Sequence, residues 1–132
     1  MNLDELAASL PNGLHDARLH KIIVDYGNHE ARFIFDIWVG NMNAKIDSKR
    51  EVYRKEEVIL SGLLFLASEP PDSAYLLQQD GPLIVDVGAM HAISKPISIK
   101  IPPLPKGAFV NWIFVRNWNS FMYVAANDAR LA

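Results

Sequence analysis

Cysteine is absent from this chain of 132 residues. Its absence excludes disulfides, thiolate zinc centres and a cysteine nucleophile. Net charge is slight, −2 at neutral pH, so no large basic field draws nucleic acid or an anionic membrane. Long hydrophobic runs are missing too. The longest uncharged stretches, residues 58–68 and 117–127, are each about half of the roughly 20 residues a membrane-spanning helix needs. The first ten residues carry Asp4 and Glu5 but no Lys or Arg, so no secretory leader is expected. The chain also lacks a Gly-x-Ser-x-Gly elbow and a phosphate-cradling Gly-rich loop. These absences predict a soluble, cytoplasmic protein with no nucleic-acid partner, no membrane partner and no cofactor.

What is present points to a folded β-rich domain. Half of the residues are hydrophobic and 21% are charged, a balance that builds a core and argues against disorder. The length suits one domain, residues 1–132. Leu3, Leu6, Ala7 and Leu10 recur at helical spacing until Pro11-Asn12-Gly13 ends the pattern. Residues 19–26 have strand character, and Gly27-Asn28 is a turn signal. Residues 31–40 alternate, with Ala31, Phe33, Phe35, Ile37 and Val39 on one face, which predicts a hairpin with the preceding strand. Residues 41–50 read as a loop.

Further strand character covers residues 51–67, with a bend or bulge expected at Ser61-Gly62. Asp72 or Ser73 is expected to cap a helical turn through Tyr75 and Leu77, followed by a turn over residues 78–81. Strands are expected at residues 83–87, 97–101, 109–116 and 121–126, and the last six residues fit a frayed helix or another strand. The expected fold is mainly β, an antiparallel sandwich or curved sheet of about seven to eight strands, with a short N-terminal helix. His15-Asp16-Ala17-Arg18 is echoed at His29-Glu30-Ala31-Arg32 and at Asp128-Ala129-Arg130, too little for a repeat architecture.

Candidate chemistry is sparse. His15 beside Asp16, with His20 and Asp25 close by, is the first polar grouping that could form a ligand or proton-transfer site. Adjacent strand residues face opposite ways, so His15 and Asp16 share a site only if the backbone is irregular, which Gly13 makes plausible. The structural alternative has Asp16 accepting turn amides or pairing with Arg18. A metal would need a non-local set combining His15, His20, His29 or His91 with Asp25 or Asp86, and no metal-binding spacing stands out, so no metal is expected. The mixed charges of residues 49–57 fit a guarded sheet edge or a contact patch. Trp112, Phe114, Arg116 and Trp118 would share one strand face opposite Phe109, Asn111, Ile113 and Val115. A strand apolar on both faces is either covered twice or meets another protein, so Trp112, Phe114 and Trp118 are a candidate interface. Pro102-Pro103-Leu104-Pro105 reads as a rigid connector.

The Gly13-Leu14-His15-Asp16-Ala17 opening, the β-rich run to Asp25-Tyr26, Tyr53-Arg54, Gly62-Leu63 with Phe65, and Trp118-Asn119-Ser120-Phe121 together resemble a group of small uncharacterised bacterial proteins. Some relatives of that group are similar to immunity proteins that neutralise secreted toxins. The resemblance implies no catalytic residues. The expected function is accordingly a non-enzymatic protein-binding module, immunity-like, acting on a protein partner or by self-association. The alternatives are a small-ligand binder or hydrolase-type enzyme centred on His15 and Asp16, and a structural homodimer.

Overall fold

The alternation of residues 31–39 is realised in a long hairpin. Strand β1 (Ala17–Asp25) pairs antiparallel with β2 (Glu30–Trp38). Ala31, Phe33, Phe35 and Ile37 are buried, while the residues between them remain partly exposed. The sequence pattern of β1 is less regular because the register slips between Leu19 and Lys21. His20 is the extra residue of this bulge. It switches the inward set from Ala17 and Leu19 to Ile22 and Val24, which oppose Phe33 and Ala31.

The structure, a computed structural model, describes residues 1–75, 80–92, 97 and 99–132. Its remaining strands are β3 (Tyr53–Ser61), β4 (Phe65–Ser68), β5 (Leu83–Ala89), β6 (Phe109–Val115), β7 (Ser120–Ala126) and β8 (Asp128–Leu131). All eight form one antiparallel sheet in the order β4-β7-β6-β5-β1-β2-β3-β8. The protein is therefore mainly β.

Chain connectivity links the two ends of this strand order. β3 runs into β4 through the bend expected at Gly62, whose φ is +63°, and β7 runs into β8 through Asn127. Main-chain bonds continue across the bend: the Asn127 N–H donates to the Ser61 carbonyl at 3.0 Å, and the Leu64 N–H to the Ala125 carbonyl at 2.8 Å. A side chain at position 62 would collide with Asn127, so glycine is required for both conformation and space.

The interior is one continuous cluster to which helix α1 (Leu3–Ala8) contributes Leu3 and Leu6, with Leu10 beyond its end. Asn2 and Glu5 form a reciprocal capping box at its start. The Met1 amino group pairs with Asp128 at 2.6 Å, tying this segment to β8. Two of the repeated Ala-Arg pairs, at residues 31–32 and 129–130, share a packing reason. Ala31, Leu60 and Ala129 form one buried row across β2, β3 and β8, and Arg32 and Arg130 flank Ile59 in the next row.

The region expected to be a loop at residues 41–50 ends in a short helix, α2 (Asp47–Arg50). Asp72 supplies the expected cap: its Oδ1 accepts the Ala74 N–H at 3.0 Å beside a 3₁₀ turn at Ser73–Tyr75. Leu77 and the first half of the turn expected at residues 78–81 lie outside the described residues, as does Ser98. Residues 99–101 are not strand, so their alternation does not reflect a ladder. The chain's last residues form β8. Among the described residues, no helix is long and apolar enough to cross a membrane.

Candidate functional site

The ladder between β1 and β5 is short, ending at the rung Ala17–Val85. The next rung would place Asp16 opposite Asp86. Asp16 instead adopts φ +55°, a left-handed conformation that Asp tolerates better than most residues. Its N–H then donates to the Asp86 carboxylate, Oδ1, at 3.2 Å, so a side chain replaces the missing main-chain acceptor. The preceding loop is fastened at its other side, where Asn12 Nδ2 donates to the carbonyls of Gly40 at 2.7 Å and Trp38 at 3.2 Å.

This irregular backbone unites two neighbours that a regular strand would separate. His15 Nε2 lies 3.2 Å from Asp16 Oδ2, and His15 Nδ1 lies 2.5 Å from Asp86 Oδ1. Arg116 completes the group from the start of the 3₁₀ turn Arg116–Trp118, one residue beyond the Val115–Val85 rung. Its Nε and Nη2 donate to Asp86 Oδ2 at 3.2 and 3.1 Å. Nη2 also ion-pairs with Asp16 Oδ1. That oxygen is inaccessible to solvent and is held by charge rather than by an aligned hydrogen bond. Asn117 fixes the turn by accepting the Ile84 N–H at 2.7 Å.

Burial raises the pKa of Asp86, but the Asp16 N–H, His15 and Arg116 outweigh that effect and hold it below the ordinary carboxylate value. The His15 side chain is 56% exposed and that of Asp86 23%. The group therefore sits at the surface with its carboxylates on the inner side. One ligand atom from each of His15, Asp16 and Asp86 lies within 4.8 Å of the others, a spacing that could hold a metal ion.

Of the residues singled out in the sequence, His15 and Asp16 thus meet. Asp16 pairs with Arg116, not with Arg18, because the left-handed turn carries its side chain toward β5 and β6. Arg18 instead lies 3.9 Å over the ring of Tyr53. His20, the bulged residue, pairs separately with Asp36 at 2.7 Å. Asp25 is occupied in the hairpin turn with Asn28. Sequence reasoning named Asp86 only as one of two acidic options for a metal set and missed Arg116 in this role. Their meeting depends on the β5–β6 register, which leaves no local sequence signal.

The site borders an aromatic and basic surface. His15 and Trp38 rings are 6.2 Å apart. Trp38 opposes Tyr53 across β2 and β3, and its Nε1 donates to the Arg50 carbonyl at 2.6 Å. Arg18 sits between Asp36 and Ile84 in the strand register, with Ile84 exposed.

Trp112, Phe114 and Trp118 do not share one face. Trp112 and Phe114 lie outward on β6, where both contact the Phe121 ring. After Val115 the 3₁₀ turn and the left-handed Asn119 (φ +49°) redirect the chain, and Trp118 packs against the core.

Comparison with protein families, curated proteins and solved structures found no match to this chain.

Proposed function

We propose that this chain is a non-enzymatic binding module that engages a partner protein through the outward face of β1, β2 and β3 beside the His15 cluster. The observation that carries this reading is the pre-ordering of Arg18, Tyr53 and Trp38. Arg18 is stacked on Tyr53, Tyr53 is paired with Trp38, and Trp38 is pinned to Arg50. Arg, Tyr and Trp dominate binding energy at protein interfaces. Holding them in place before binding reduces the ordering cost of association. The geometry of His15 argues in the same direction. Both of its ring nitrogens lie near carboxylates, and Arg116 binds both carboxylates, so the charges of the cluster are directed at one another.

The resemblance to immunity-like proteins makes a secreted toxin the partner class to try first. Self-association through Trp112, Phe114 and Trp118 has less support, since Trp118 packs on the core and Trp112 is bound to its own chain through the Ala89 carbonyl.

The test compares affinity capture from the native host by the wild-type chain, Arg18→Glu and Tyr53→Ser, each checked for an unchanged melting temperature. The expected result is one specific partner, lost in both variants. An identical captured set for all three proteins would overturn the reading, as would turnover of ester or phosphate substrates that disappears in His15→Ala.

A further inference from the structure

We propose that His15, Asp16 and Asp86 form a binding site for a divalent transition-metal ion, and that Arg116 is the resident counter-ion the metal displaces. The proposal is independent of the partner surface.

Three observations carry it. First, the three side chains come from a loop and a strand far apart in sequence, yet each offers a ligand atom within 4.8 Å of the others. Ligands on one zinc-sized ion at about 2.0–2.2 Å are roughly 3–4 Å apart, so the side chains rotate to close on the ion, with His15 giving one of its two ring nitrogens and the carboxylate on the other swinging round. His15 Nε2 and Asp16 Oδ2 are already at 3.2 Å.

Second, the place between the two carboxylates is already a cation site. The Arg116 guanidinium contacts Asp16 Oδ1 and Asp86 Oδ2, and a metal bridging the same carboxylates competes for the same negative charge. The Arg116 side chain is 45% exposed, so it can swing into water while the metal compensates the enclosed Asp16 Oδ1.

Third, the donor set selects the ion. One imidazole and two carboxylates suit zinc, manganese or iron better than magnesium or calcium, which favour oxygen alone. Three protein ligands leave at least one coordination position open, and the exposed edge of His15 provides the way in. The Asp16 N–H on Asp86 supplies the outer support that fixes a ligating carboxylate.

Arg116 makes the site self-neutralising, so binding is weak in the wild type and strengthened when the guanidinium is removed. The sign of that effect separates the proposal from a purely structural ion cluster.

The experiment is calorimetric titration of the full chain, stripped with chelator, with zinc chloride, repeated with cobalt(II) to read its visible absorption. The variants are Arg116→Gln, His15→Ala and the control His20→Ala, each with its fold verified by circular dichroism. Expected are one-to-one binding, affinity at least about tenfold higher in Arg116→Gln and about tenfold or more lower in His15→Ala, and no change in His20→Ala. Saturable binding in Arg116→Gln with none in the wild type also supports the proposal, because it identifies Arg116 as the occupant. Absence of binding in both proteins overturns the site. Binding unaffected by His15→Ala places the metal elsewhere and overturns it equally. Equal affinity in the wild type and Arg116→Gln overturns the counter-ion role. If Arg116→Gln does not fold, Arg116→Met, also neutral, replaces it, with the same outcomes read from its affinity.

Discussion

Trp112 lies directly over Gly88 on the adjoining strand, and its Nε1 donates to the Ala89 carbonyl at 2.8 Å. The two residues face each other in the β5–β6 register, and a Cβ at position 88 would overlap the indole. Gly88→Ala should therefore expel Trp112 and destabilise the fold by about 1–3 kcal/mol, the usual cost of overpacking. Thermal denaturation should show the loss, and tryptophan emission should shift to the red. A variant with wild-type melting and emission would mean that the indole is not seated on Gly88.

Phe35 is 2% exposed and stacks on Phe33 with ring centroids 6.0 Å apart. Phe35→Ala should cost about 3–5 kcal/mol, a large fraction of the total stability of a domain this size. Urea unfolding gives the value directly. A loss below 1 kcal/mol would be incompatible with the packing of β2 against the interior.

These two residues show what was legible in the sequence. The inward set of β2 follows from strict alternation, because a strand has a period of two and nothing interrupts it between Ala31 and Ile37. The bend at Ser61-Gly62 was marked by its glycine. The inward set of β1 was not readable past Leu19, since the His20 bulge shifts the period by one residue without any compositional sign. Residues 99–101 show the converse, alternation without a strand, beside Pro102 and Pro103. In the candidate site, Gly13 hinted at irregular backbone near His15. The left-handed turn at Asp16 was still invisible, and the convergence of Asp86 and Arg116 is a consequence of register alone.

The pH dependence of stability should bear the mark of Asp86. Its folded pKa is lowered, so the ionised carboxylate is favoured in the native state relative to the unfolded chain, and the resulting stability is present above the ordinary carboxylate pKa. It is lost as the pH falls from about 4 through the lower folded value. Asp86→Asn lacks this contribution. The difference in stability between wild type and variant should therefore be constant near neutrality and shrink below about pH 4. Denaturant unfolding at a series of pH values measures it, and a gap that widened on acidification would reverse the sign assigned here.

Asp16 and Arg116 should prove energetically coupled. Their side chains are 30% and 45% exposed, so water screens the pair, and a coupling of about 0.5–1 kcal/mol is expected. Asp16→Asn is the appropriate probe because Asn also tolerates positive φ, which separates the loss of charge from backbone strain. Combined with Arg116→Gln, it completes a double-mutant cycle in which each substitution removes one partner of the pair. The coupling should weaken as salt is raised, since both groups reach solvent. Strict additivity at low salt would show that the two ions are neighbours without energetic consequence, and that the loop from Asn12 to Asp16 is held by its bonds to Trp38 and Gly40 and by the Asp16 N–H on Asp86.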